Sequence, residues 1–496
     1  MNNNNTGSSA IPDYMRYARD IGFIALAQVI VSLLNFMQLP ILTKWLGASL
    51  YGTWSLMWIT VVLLAPLVTL GLGTAMVRFL AAEEDVNKIR EGFVSVVLTI
   101  LFAGILASLV IVFCSNAFAA SVLGNIDKAN SIKLTAFMIT TQALSQISFA
   151  FFRTFRQMKI YSAFLAGKAT IELAFMVCFL IAGWELIGVI IAVITSDIIF
   201  IVVASIITIR QIGFCLPRFA KLKSYLKYGL PLMPSGIILW IIQSSDRYII
   251  GYFMEVEDVG IYTAAYTLAN AIIFFLGPLQ VVLLPMVSKS YDEGDVVKTR
   301  AYLKYSLKYL MTLSIPAAFG LSVLAYPLLR ILTTIEFTAG SMVVPVLAFG
   351  ILSYTLYQVC MHTLYLVKKT IWILSLLCIS AGLNIGLNIL LIPNLGILGA
   401  AVAALISYAV LGILTTVISF RYLKFDLDLF FLGKSVLASA IMAIIIKLIN
   451  PVSTTQIIIS ILLGIITYYA IIFALKGFKK SELEFFNKML RWPNQK

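Results

Sequence analysis

Asp246 and Arg247 stand side by side in the apolar stretch that begins near Leu230. Lys168 and Glu172 lie four residues apart in the stretch from about Ala163, and Asp197 falls near the middle of the one from about Leu186. A charge in hydrocarbon is costly unless it is paired or faces water, so charges at such places mark ion pairs, proton or cation sites, or contacts for a charged cargo. Arg suits phosphate through its planar fork and Lys as a point charge, which makes Arg247 and Lys168 candidate phosphate contacts. Lys168 and Glu172, at i and i+4, can equally meet on one helical face and neutralise each other. Asp246 and Arg247 are either a mutual counter-ion pair that a phosphate would open or, since adjacent helical residues point about 100° apart, members of pairs with other helices. Asp197 fits a proton or sodium site and also a partner for Lys168. Arg78 and Arg153, at the ends of their stretches, read as anchors of orientation and as first contacts for an entering phosphate.

No other pattern points to covalent chemistry. The cysteines (Cys114, Cys178, Cys215, Cys360 and Cys378) are scattered singly and His362 is the sole histidine, which argues against a structural zinc site or a disulfide framework. His362 reads as an interfacial side chain rather than a proton relay. Asn384 and Asn388 share a helical face suited to hydrogen bonds between helices, or to a sugar. GKAT at Gly167 and GKS at Gly433 lack the first glycine of a phosphate-binding loop, with Ser162 and Asp428 in its place, so no nucleotide-hydrolysing domain is expected. Pro66, Pro278, Pro285, Pro316 and Pro345 would kink the stretches that hold them. Trp45, Trp54 and Trp58 suit an aromatic belt at the outer interface.

The elements that must position these residues follow from composition. Of 496 residues, 61% are hydrophobic and only 12% charged, and the mean hydropathy is +0.99. Soluble domains run nearer 45–50% apolar and about 25% charged, so the chain belongs in a bilayer. Apolar runs of the roughly 20 residues that a membrane helix needs begin near Ile21, Tyr51, Phe93, Leu134, Ala163, Leu186, Leu230, Val259, Tyr309, Ser341, Ile371, Leu395, Phe430 and Thr455. That predicts about 14 transmembrane helices, and an all-α polytopic membrane protein. Threading the chain through them puts 28 Lys and Arg on one side and five, Lys128 among them, on the other. By the positive-inside bias the richer side is cytoplasmic, and so are both termini. The net charge of +14 is then topological rather than a sign of nucleic acid. The polar start, MNNNNTGSSA, precedes no cleavable apolar segment, so no signal peptide is expected. The longest connections, about 210–228 and 289–308, are basic with interspersed aromatics and read as helices on the anionic leaflet or as plain charged connectors.

An offset of 208 residues aligns the start of the chain with its middle. It pairs Leu42 with Ile250, Trp45 with Phe253, Gly52 with Gly260, Trp54 with Tyr262 and Ser55 with Thr263, and farther on Gly188 with Gly396 and Ala192 with Ala400. An offset of six helices makes the halves parallel, related by an axis along the membrane normal. The division expected is a six-helix lobe over 15–225, a second over 226–425, and two extra helices with a basic tail over 426–496. Two such lobes flanking a cleft suit a carrier that opens to each side in turn.

SSDRYIIGYFMEVEDVGIYTAAYTL (Ser244 to Leu268), LTKWLGASLYGTWSLMW, LGLGTAMVRFLA, FFRTFRQMKIY and IPNLGILGAAVAALISY resemble the polysaccharide-biosynthesis branch of the multidrug/oligosaccharidyl-lipid/polysaccharide (MOP) exporter superfamily, which includes Wzx-type O-antigen flippases. The resemblance implies a V-shaped pair of bundles in a bacterial inner membrane. It also implies a protein that turns undecaprenyl-diphosphate-linked oligosaccharide from the cytoplasmic to the outer leaflet, alongside polysaccharide polymerase and chain-length machinery. No catalytic residue, metal or cofactor is expected, and the drive would come from an H+ or Na+ gradient, the membrane potential or removal of product. A lipid II-type flippase, a teichuronic acid exporter, a multidrug cation antiporter and a membrane polysaccharide polymerase are the competing readings. The last would need a sizeable outer loop with catalytic Arg or His, which the chain does not offer.

Overall fold

A computed structural model describes residues 10–122 and 129–478 together with Glu482. The polar first nine residues, Lys128 and all of the basic tail past Phe478 but Glu482 lie outside the described residues. All regular structure among the described residues is helical: α1 (Ala10–Val68), α2 (Leu72–Phe79), α3 (Val86–Val122), α4 (Ala129–Thr154), α5 (Met158–Ile181), α6 (Glu185–Ile212), α7 (Leu222–Gly229), α8 (Met233–Phe253), α9 (Val256–Ala269), α10 (Leu276–Asp292), α11 (Val296–Leu332), α12 (Val343–Leu366), α13 (Thr370–Leu395), α14 (Ile397–Tyr422), α15 (Leu429–Ile449) and α16 (Thr454–Ala474).

Twelve segments among them are long and apolar enough to cross a membrane. The difference from the expected 14 has two physical causes. The apolar part of α1 is 47 residues long, about 70 Å at 1.5 Å per residue and more than twice the roughly 30 Å of hydrocarbon. It bends at Gly47, whose φ of 68° and ψ of 177° form a conformation open essentially to glycine alone, so α1 supplies the first two spans. The stretch expected from Val259 is broken into α9, a 3₁₀ segment Asn270–Phe275 and α10, each too short to count by itself. Pro66, Pro285 and Pro316 lie inside helices. Pro345, by contrast, falls in the first turn of α12, where no helical hydrogen bond is lost and no kink is needed.

Packing divides the chain into two compact units, Met1–Ala264 with Leu377–Ala403, and Ala265–Leu376 with Ala404–Lys496. In the first, α4 packs along α3 and α6, and α5 along α1 and α6. Two residues paired by the 208 offset, Ser55 and Thr263, are hydrogen-bonded at 2.8 Å. One turn away a Cβ on Gly52 would lie 1.9 Å from the carbonyl oxygen of Val256, and one on Gly260 would lie 2.2 Å from that of Ala48. Ala48 and Val256 are themselves 208 apart, so the contact is reciprocal, as at a two-fold axis. Glycine at both positions lets the backbones touch. On the connection between α2 and α3, Glu83 accepts from Lys221 at 3.0 Å, and this hydrogen bond holds the Glu83 carboxyl below its ordinary range.

In the second unit α11 is the hub, packing against α10, α12, α15 and α16, with α15 beside α16. The two helices beyond the repeat are thus attached through α11. A cavity of about 480 Å³ lined almost wholly by apolar side chains lies among α11, α15 and α16. The basic run up to Lys308 is no separate surface helix, because α11 is unbroken from Val296 and Lys308 is 2% exposed. Its ammonium lies 3.0 Å from both oxygens of Glu482 and 3.2 Å from Asp428, under the ring of Phe431 at 4.6 Å. Lys308→Ala would strand two carboxylates, and breaking a buried pair of this kind costs about 3–5 kcal/mol. A clear fall in the thermal midpoint of the detergent-solubilised protein is expected.

Two further expectations are corrected by burial. His362 is not interfacial but buried, its Nε2 3.1 Å from Gln280 Oε1. Trp54 is buried and stacks on Trp58 at 5.7 Å, whereas Trp45 is 53% exposed as a belt residue would be.

Candidate functional site

Three of the predicted residues meet in one buried cluster of the first unit. Lys168 Nζ, on α5, lies 2.7 Å from Asp197 Oδ1 on α6 and 3.9 Å from Glu172 Oε2 one turn along its own helix. From α4, Gln142 Oε1 accepts from Lys168 at 3.3 Å and Thr141 Oγ1 donates to Asp197 Oδ2 at 3.1 Å. Gln142 and Thr141 can do this because α4 runs beside α6 with polar side chains on an otherwise apolar face. Asp197 is fully buried and Glu172 nearly so. Two carboxylates against one ammonium leave the cluster one negative charge in excess when all are ionised, and the Nε2 of Gln142 has no hydrogen-bond partner. A buried surplus of this kind calls for a proton or a cation. The 208-residue offset carries Gln142, Lys168, Glu172 and Asp197 onto Gly350, Leu376, Ser380 and Leu405, so the second half has no such cluster. There a Cβ on Gly350 would lie 3.1 Å from the Leu405 backbone, close apolar packing where the first half is polar.

Asp246 and Arg247, on α8, are also buried. Adjacency suggested separate partners, and each has them, yet the two side chains also meet. Arg247 NH1 donates to Asp246 Oδ1 at 3.0 Å and to the carbonyl of Gln243 at 2.8 Å. Asp246 Oδ2 accepts from Tyr262 Oη at 2.5 Å, and the guanidinium stands 5.6 Å from the centre of the Tyr262 ring. The carboxylate turns back on its own helix, where it also accepts from the backbone N–H of Arg247 at 2.9 Å. Next along α8, Ser245 donates to Asn384 Oδ1 at 3.3 Å. Asn388 donates to the Asn384 carbonyl at 2.9 Å and to its Oδ1 at 3.0 Å. Asn384 thus makes the contact between helices that the shared face suggested, whereas these bonds of Asn388 stay within its own helix.

Arg78 and Arg153 lie in the last turns of α2 and α4, exposed, with no hydrogen bond or ion pair to either cluster among the described residues. Charges at those ends also complement the helix dipoles. All five cysteines are free, and no group of metal-ligating side chains occurs among the described residues.

A family model described as polysaccharide biosynthesis protein matches residues 17–291, more than half of the chain. The chain belongs to that family. A second model, MatE, matches residues 231–390 of this polysaccharide biosynthesis protein. It is 28% identical over 263 residues to the probable low-salt glycan biosynthesis flippase Agl15 of Haloferax volcanii, over 51% of this chain and 55% of that one. It is 27% identical over 179 residues to the probable lipid II flippase MurJ of Rickettsia prowazekii, over 34% of this chain and 35% of that one. The chain thus spans about half or less of the length of these curated relatives. Its fold is similar to that of a lipid II flippase MurJ in an inward closed conformation, with a TM-score of 0.72 at 18% identity over 93% of this chain and 98% of that one. It is also similar to an inward-facing multidrug resistance MATE family transporter, with a TM-score of 0.65 at 15% identity over 82% and 97%. The fold is therefore that of the MOP superfamily, and the relatives and neighbours are flippases and transporters, not enzymes.

Sequence reasoning did not find Tyr262, Thr141, Gln142 or Gln243 as partners of the charges. Tyr262 was legible as the repeat mate of Trp54 and as a member of the Ser244 to Leu268 segment that carries the resemblance, but neither says that it meets the carboxylate sixteen residues upstream.

Proposed function

We propose that this multi-pass membrane protein is a flippase for undecaprenyl-diphosphate-linked oligosaccharide, bringing O-antigen or another surface glycan from the cytoplasmic to the outer leaflet of the inner membrane by alternating access. The observation that carries the reading is the buried pair of cations, Arg247 and Lys168, each held by carboxylates inside membrane helices of a polysaccharide biosynthesis family member. A diphosphate arriving from the lipid can replace those carboxylates as counter-ion, and Asp246, Glu172 and Asp197 then become free to take up H+ or Na+. Arg78 and Arg153, at the helix ends that the charge bias places in the cytoplasm with both termini, are suited to the first encounter. Polymerase and chain-length proteins would receive the product.

The test is transport of undecaprenyl-diphosphate-linked sugar into the inaccessible leaflet of proteoliposomes. Arg247→Ala and Lys168→Ala are each expected to reduce it to the level of protein-free vesicles at equal amounts of inserted protein; wild-type rates in both would refute the assignment. A second reading, export of an organic cation, is favoured by the surplus carboxylate in the Lys168 cluster, and cation efflux from the same vesicles without glycolipid transport would establish it instead.

A further inference from the structure

A cavity of about 250 Å³ in the first unit lies between the end of α1 and the start of α8. Both chains are irregular there. Leu70 and Gly71 have φ of 52° and 67° between α1 and α2, and a 3₁₀ turn Leu230–Leu232 with Pro231 precedes α8. Backbone of this kind at membrane depth is tolerated where it lines a wet space, and interrupted helices in a transporter point to its binding site.

The lining narrows the ligand. None of the lining residues is charged, and Arg78 is not among them, so a diphosphate has no partner in this cavity. Thr69, Thr74 and Ser235 bring hydroxyls and Trp240 an indole, set among apolar side chains such as Pro66. The Thr69 and Ser235 hydroxyls donate to Pro66 and Leu232 carbonyls at 2.7 and 2.8 Å, which leaves their lone pairs to accept from a ligand. The indole is fixed in place. Its N–H donates to the Ile59 carbonyl at 2.8 Å, and its ring packs at 5.7 Å on Tyr248, which is hydrogen-bonded to Thr60. A rigid aromatic face beside neutral acceptors matches a ligand with apolar C–H faces and donating hydroxyls. An acyl chain would leave those acceptors unused; the larger cavity of the second unit has almost none of them.

We infer that this cavity seats one uncharged sugar ring of the transported glycolipid, stacked on Trp240, apart from the cationic residues that would take its diphosphate. The inference rests on the flippase reading and adds to it a place where the glycan is sensed.

Gly236 supplies the test, because a Cβ there meets nothing within 4 Å and a larger side chain can enter the cavity without moving backbone. Binding of undecaprenyl diphosphate and of undecaprenyl diphosphate bearing one N-acetylglucosamine would be measured on the full-length protein in detergent. The wild type and Gly236→Ala are expected to prefer the glycosylated carrier about tenfold, equivalent to about 1.4 kcal/mol. In Gly236→Phe and in Trp240→Ala the preference should vanish while affinity for the bare carrier stays. A tenfold preference surviving in Gly236→Phe, no preference in the wild type, or an equal loss for both carriers would each overturn the inference while leaving the flippase reading intact. Failure of the wild type to bind either carrier would remove both.

Discussion

With Ser55→Cys and Thr263→Cys introduced on a background free of the five native cysteines, mild oxidation is expected to join the two positions and stop transport, and reduction is expected to restore it. The two hydroxyl oxygens are 2.8 Å apart, so thiols in their places would start in contact, and a disulfide needs a Cβ separation of about 3.5–4.5 Å. The residues are repeat mates, and so are Gly52 and Gly260 beside them, whose backbones touch. In the proposed carrier the two repeat halves would rock about their common axis and part this contact, which the expected orientation puts at the outer face. A covalent tie there holds the protein in one state. Each single-cysteine variant should transport normally, since one thiol replaces one hydroxyl and no tie can form. Unimpaired transport by the oxidised double variant would mean that the contact is a permanent seam. Gly52→Leu is expected to do the converse. Its Cβ would stand 1.9 Å from a carbonyl oxygen, a distance that only backbone displacement relieves, so the crossing opens and the cysteine at Thr263→Cys becomes reactive to a membrane-impermeant thiol reagent.

How much of this was readable beforehand depends on the range of the interaction concerned. Span positions were legible because hydrocarbon thickness sets the length of an apolar run. The close crossing was legible because backbones that touch need glycine at both members, and Gly52 and Gly260 stand in the sequence at the offset of 208. The Lys168 cluster was partly legible, since i, i+4 spacing put Glu172 within reach and charge balance made Asp197 a candidate. Its hydrogen-bond partners were not, because Thr and Gln are common in helices and only tertiary packing of α4 on α6 selects Thr141 and Gln142. Lys308 was misread for the same reason. Its neighbours in sequence are basic and connector-like, while the acids that bury it, Asp428 and Glu482, are 120 and 174 residues away. The cavity beside Trp240 had no sequence signature beyond its glycines and prolines.

Lys168→Met is expected to be both unstable and inactive, and pairing it with Asp197→Asn separates the two effects. Removing the ammonium alone leaves Asp197, fully buried, with Glu172 as its charged neighbour, and stranding a buried charge in this way costs about 3–5 kcal/mol. The double variant removes the ammonium and the nearer carboxylate together. The remaining asparagine can still accept from Thr141, and replacing both members of a buried ion pair is often close to neutral for stability. Glu172 still loses its cation in the double variant, so thermal unfolding should recover only part of the way to the wild-type midpoint. Transport should not return, because the positive charge that would meet a diphosphate under the proposed function is gone and the cluster can no longer exchange one counter-ion for another. If the double variant regains both stability and transport, the ion pair is a structural tie between α5 and α6 and the phosphate contact falls to Arg247 alone. If Glu172→Gln, which removes the surplus charge but keeps the Lys168 to Asp197 pair, abolishes the response of transport to an imposed pH or Na+ gradient without lowering glycolipid binding, the surplus carboxylate is the coupling group. Retention of that response would place coupling outside this cluster.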